Sequence, residues 1–68
     1  MTIKFGVMPG RINEFVLEEG STVSTVADLA GESLSGYMIK VNGDAANADT
    51  VLNDGDTVIL SKQLKGNA

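Results

Sequence analysis

Residues 51–61 read Val51-Leu52-Asn53-Asp54-Gly55-Asp56-Thr57-Val58-Ile59-Leu60-Ser61. Asn53 to Asp56 form a tight turn: Asp and Asn accept bonds from nearby amides, and Gly55 tolerates positive φ. Thr57 to Ser61 follow as a strand, since β-branched and apolar residues fit a pleated, covered surface. Upstream, Tyr37, Ile39 and Val41 alternate with Met38 and Lys40, which predicts another strand. Asn42-Gly43 closes it with a turn. The stretch from Asp44 to Asp49 is polar and Ala-rich, and we expect it to be irregular. Thr50-Val51-Leu52 should pack back on the core.

Toward the N-terminus, Ile3, Phe5 and Val7 alternate with Thr2, Lys4, Gly6 and Met8. Pro9-Gly10 is a turn pair. Asn13, Phe15 and Leu17 then alternate with Glu14 and Val16, and two such runs around a short turn predict a β-hairpin. Glu18-Glu19-Gly20-Ser21-Thr22 breaks the period. Val23, Val26, Ala27, Leu29 and Ala30 recur at helical spacing, with Ser21 or Thr22 as cap and Gly31 at a left-handed C-cap. A helix of about two turns forms only when its apolar face packs on something. The inner face of the hairpin is the available support, and the later strands must join the same sheet because there is no second core. The order hairpin, helix, strand, irregular stretch, strand gives two layers.

The chain has 68 residues, enough for one domain. A domain of this size buries only about 60% of the surface its unfolded chain exposes, which leaves little apolar material for a deep pocket. We assign residues 1–64 to the domain and 65–68 to a flexible tail. With neither cysteine nor histidine, disulfides, thiolate metal sites and the commonest general base are all excluded. Ser21, Ser24 and Thr25 have no histidine to activate them. The 43% apolar content is too high for disorder, yet no apolar run reaches the roughly 20 residues of a membrane span. The N-terminus lacks a signal-peptide layout, and we expect a cytoplasmic protein. A net charge of −4 argues against a nucleic-acid partner, because phosphate contacts dominate such affinity.

The C-terminal half resembles the β-grasp (ubiquitin-like) superfamily, and most closely the small sulfur-carrier proteins of thiamin and molybdopterin synthesis. The residues that carry the likeness are Val41-Asn42-Gly43, a polar stretch, and Val51-Leu52-Asn53-Asp54-Gly55-Asp56 with the strand after it. The hairpin, the Glu-Gly-Ser-Thr-Val entry and the short helix match in pattern. The resemblance implies an α+β fold with a mixed sheet of about four strands and one short helix on one face. It also implies a Gly-Gly tail that enters an adenylating enzyme, where the terminal carboxylate becomes an acyl-adenylate and then a thiocarboxylate. By family spacing that pair falls at positions 66 and 67. Gly66 matches; Asn67 does not, and Ala68 extends beyond it. TGS domains, appendages of tRNA synthetases and some GTPases, are similar over the same stretch, which implies an RNA- or ribosome-associated alternative.

No catalytic set can be assembled, so we expect no enzyme activity and no cofactor. Asp54-Gly55-Asp56 with Asp44 and Asp49 lacks the spacing of an EF-hand and reads as a turn, not as a metal site. The outer sheet face carries more. If Ile3, Phe5, Val7, Ile39, Val41, Val58 and Leu60 face the helix, parity places Lys4, Met8, Met38, Lys40, Ile59 and Ser61 outside. Apolar groups rimmed by charge mark partner surfaces, and Met is common at adaptable ones. Met8, Met38, Lys40, Ile59 and Lys4 are therefore the candidate contact residues for a protein partner. The charge pattern gives the sheet side a basic bias and the helix side an acidic one. Two alternatives stay open: a sulfur carrier or protein tag activated at Gly66 after trimming, and the TGS-like module. One exposed strand edge permits a monomer or a weak dimer.

Overall fold

The computed structural model describes residues 1–62; the expected domain boundary after residue 64, the tail and Gly66 lie outside the described residues. Five strands and one helix follow in the order β1 (Thr2–Met8), β2 (Ile12–Val16), α1 (Val23–Ala30), β3 (Tyr37–Val41), β4 (Asp44–Ala46) and β5 (Thr57–Lys62). They form one sheet in the order β2-β1-β5-β3-β4. β1 and β5 are parallel, and the other neighbours are antiparallel. This is the mixed sheet of the β-grasp.

The strand count exceeds the expected four because residues 44–46 are not irregular. Asn42 and Gly43 both take positive φ, 54° and 87°. Two such residues in succession make the hairpin turn whose twist matches that of its flanking strands. The turn delivers Asp44, Ala45 and Ala46 opposite Val41, Lys40 and Ile39. Its geometry creates the strand; the composition of β4 gives no sign of one.

The core is one cluster on the inner face of the sheet. Ile3 and Phe5 from β1, Val58 and Leu60 from β5, and Val23, Val26 and Ala27 from α1 are buried, with Leu17 and Leu52 closing the ends. Burying each such aliphatic side chain contributes about 1.5–3 kcal/mol. Phe15 is half-buried and meets Phe5 edge-on, with ring centroids 6.1 Å apart. Leu29 departs from the helical reading: it is 60% exposed. Three helical residues are enough to cover so small a sheet, and Leu29 falls beyond their arc.

The helix is held at both ends. Thr22 is the N-cap and Gly31, at φ 73°, is the C-cap, where its amide bonds back to the last turn. A Ser or Thr side chain is the acceptor that the sequence leads one to expect for the first amides. Thr22 provides this in a capping box with Thr25, and the amides of Val23 and Ser24 donate to the carbonyls of Thr50 and Ala48, at 3.1 Å each. The Thr22 amide donates to Thr25 Oγ1 at 3.3 Å. The polar stretch before Val51 thus supplies acceptors for the two amides that the capping box does not serve. Leu52 N–H donates to Ser21 O at 2.8 Å, which ties the same stretch to the helix entry and sets Leu52 into the core while Val51 stays exposed.

Candidate functional site

The carboxylates of the Asp-Gly-Asp turn are engaged within the fold. Asp54 Oδ1 accepts from the Thr2 amide at 2.7 Å. Asp56 Oδ2 accepts from the Asn53 amide and its Oδ1 from Asn42 Nδ2, both at 2.8 Å. Asn42 Oδ1 in turn accepts from the Thr57 amide at 3.0 Å. The motif is a latch that joins the β3–β4 turn, the start of β5 and the start of β1. A latch of this kind needs two acceptor-rich carboxylates, an amide able to donate and accept, and a residue at ease with φ 88°, which is Gly55.

The outer sheet face runs from this latch along the strands. Register fixes its rows. Glu14, Lys4 and Thr57 lie side by side; Ile12, Gly6, Ile59, Lys40 and Ala45 form the next row; Met8, Ser61 and Met38 form the third. Adjacent strands are about 4.8 Å apart, so the four principal strands of the middle row span roughly 14 Å. All five candidate residues, Lys4, Met8, Met38, Lys40 and Ile59, stand on this one side. Met38 is 44% exposed, Lys4 and Lys40 are exposed, and Met8 and Ile59 are half-buried. Lys4 stands a row away from the apolar group and is paired in register with Glu14, which tempers the basic bias expected of this side.

Sequence parity missed one member of the patch. Ile12 is 47% exposed and lies across Gly6. A Cβ at Gly6 would meet Ile12 Cγ1 at 2.7 Å and the Arg11 carbonyl at 2.9 Å. Gly6 is therefore the floor on which Ile12 rests, and its missing side chain lets Ile12 reach inward over the sheet. The sequence does hold a signal for it: a glycine within an otherwise bulky strand marks a close approach. Val16, the most exposed large apolar residue of the described chain, extends the same side of β2.

The geometry defines a β-grasp domain with a bare sheet face. The chain belongs to the ThiS family, whose family model matches residues 8–60. Solved structures share the fold. SAMP1 from Haloferax volcanii superposes with a TM-score of 0.80 at 17% identity, covering 98% of this chain and all of that one. Urm1 from Trypanosoma brucei gives 0.66 at 20% identity, covering 97% and 95%. A complex of subunits 1 and 2 of the molybdopterin-converting factor from Helicobacter pylori 26695 contains a chain that gives 0.64 at 22% identity, covering 98% and 100%. No curated protein sequence matches this chain.

Proposed function

We propose that the chain is a non-catalytic protein-binding module of the sulfur-carrier type, which docks a partner through the outer sheet face. The observation that carries this reading is the continuity of Met8, Met38, Ile59 and Ile12 across the four strands β2, β1, β5 and β3, with Lys40 beside them. Apolar side chains on a rigid sheet supply contact area, and the lysine supplies orientation. That the Helicobacter pylori relative is a protein–protein complex supports a protein partner here. The test is capture of partners by the intact protein and by Met38→Asp and Ile59→Asp, followed by NMR shift mapping of the captured pair. Both variants should lose the partner while keeping the native spectrum. Shifts clustered on α1 would overturn the assignment.

Family membership supports a second reading, in which the chain is a carrier or tag trimmed to Gly66 and activated there by an adenylating enzyme. Activation with ATP would form an acyl-adenylate at the Gly66 carboxylate and release pyrophosphate, and sulfide delivered by a donor would then displace AMP to leave a thiocarboxylate. Intact-mass measurement on protein from its native cell decides it. A species ending at Gly66 with one oxygen replaced by sulfur, or a conjugate through that residue, supports the carrier. A single species ending at Ala68 refutes it.

A further inference from the structure

The two edges of the sheet differ in what they offer. β4 presents three residues, which is a short edge of the kind that resists pairing. β2 presents five, and its backbone parity can be read from the start of the chain. Leu17 N–H donates to Met1 O, and the Met1 ammonium donates to Leu17 O, both at 2.8 Å. Bonded pairs alternate with non-bonded ones along an antiparallel ladder, so Ile3–Phe15 and Phe5–Asn13 are the next bonded pairs. The amides and carbonyls of Ile12, Glu14 and Val16 therefore point away from β1, and no described residue bonds to them.

Beside this edge, on the helix side of the sheet, lies a cavity of about 250 Å³. Phe5, Val7, Phe15 and Ala30 line it together with the polar Arg11, Asn13 and Glu32. That is below the ~300–1,000 Å³ of small-molecule sites, and its size admits short side chains, whose methyl groups can reach Phe5, Val7 and Phe15 between the polar residues. A strand added antiparallel to β2 would bond to Ile12, Glu14 and Val16. Its residues opposite Asn13 and Phe15 would then point to the helix side, over this cavity, and its residue opposite Glu14 would lie on the outer face.

We propose that the β2 edge and the adjoining cavity form a strand-addition site for an extended segment of a partner protein that carries a basic residue between two aliphatic ones. The acidic residues along the edge favour that occupant, against the opposing charge of Lys4, which lies in register with Glu14, and of Arg11. Glu14 is exposed at the centre of the edge, and Glu18 and Glu19 follow it. A second copy paired about Glu14 would set Glu14 against Glu14, and like charges directly opposite are destabilising. Backbone bonds supply affinity, and the cavity and Glu14 supply selectivity.

The probe is the peptide acetyl-Thr-Val-Lys-Val-Thr-amide, titrated into the full chain and followed by NMR. The amides of Ile12, Glu14 and Val16 should shift and exchange more slowly, Phe15 and Ala30 should shift, and Met38 and Lys40 should not. A peptide with Glu in place of Lys should bind about fivefold more weakly, and E14K should reverse that preference. Glu14→Pro removes the central edge donor without touching the β1 ladder and should abolish binding. If that variant does not fold, the charge swap decides alone. Equal affinity for both peptides in the native chain and in E14K overturns the proposal. So do shifts centred on Met38 and Lys40, and so does protection of the same three amides in a peptide-free dimer. Shifts centred on Met38 and Lys40 would place the peptide on the outer face instead; the other outcomes leave the outer-face reading to the Met38→Asp and Ile59→Asp variants.

Discussion

The two faces of the sheet are woven from the same strands, and alternate residues of β1, β3 and β5 serve opposite purposes. On the inner face Ile3, Phe5, Val58 and Leu60 are sealed beneath α1. On the outer face Met38 and Ile12 remain close to half exposed, and a glycine lies among them. The inner residues are branched or aromatic and fill fixed space. The outer apolar residues include two methionines, whose unbranched side chains adapt to a shape not yet present. One face is built for a single arrangement, and on the proposed reading the other fits a partner.

The largest effect should come from the inner face. Leu60→Ala should destabilise by about 2–5 kcal/mol through lost burial and an unfilled cavity. Met38→Ala should stay within about 0.5 kcal/mol, as an exposed site away from caps and networks does. Urea denaturation of both variants measures the gap, and equal losses would erase the distinction between the faces. Next comes Gly6, the outer position where the faces are not separable. Gly6→Ala should cost about 1–3 kcal/mol, because the added Cβ meets both Ile12 Cγ1 and the backbone oxygen of Arg11. Adding Ile12→Ala should recover only part of that loss, since the backbone contact remains. A smaller loss than that of Leu60 or Gly6 concerns the latch at the end of both faces. Asn42→Gly keeps the positive φ but removes the bonds to Asp56 and Thr57, and should cost about 1 kcal/mol. Asn42→Ala also loses the favourable backbone preference and should cost more. Thermal unfolding ranks the pair, and the reverse order would mean that the positive φ at Asn42 does not govern this turn.

Alternation made both faces legible in the sequence. Phe5, Val58 and Leu60 could be assigned inward, and Met38, Lys40 and Ile59 outward, from period two alone. What escaped was whatever depends on register or on a turn. β4 is three residues long, too short to carry a period, and exists because Asn42 and Gly43 both take positive φ. Ile12 follows the turn after Pro9-Gly10, where no alternation had yet been established, and only its pairing with Gly6 places it in the patch. Leu29 satisfied the helical spacing but not the narrow arc that the sheet covers. The Asp-Gly-Asp turn was readable as a turn; its bonds to Asn42 and Thr2, 14 and 52 residues away, were not.

The parallel pairing of β1 with β5 has a consequence for synthesis. The last described strand to be made lies in the middle of the sheet, between β1 and β3. A growing chain that has reached Asp56 holds one hairpin, β1–β2, and another, β3–β4, with no strand to join them. Two-stranded ribbons are marginal alone, and α1 then has only half a floor. The nascent protein should therefore remain unfolded until β5 clears the ribosome, and then close in a single cooperative step. Any message truncated within that final strand would yield a chain with no stable fold rather than a shortened domain.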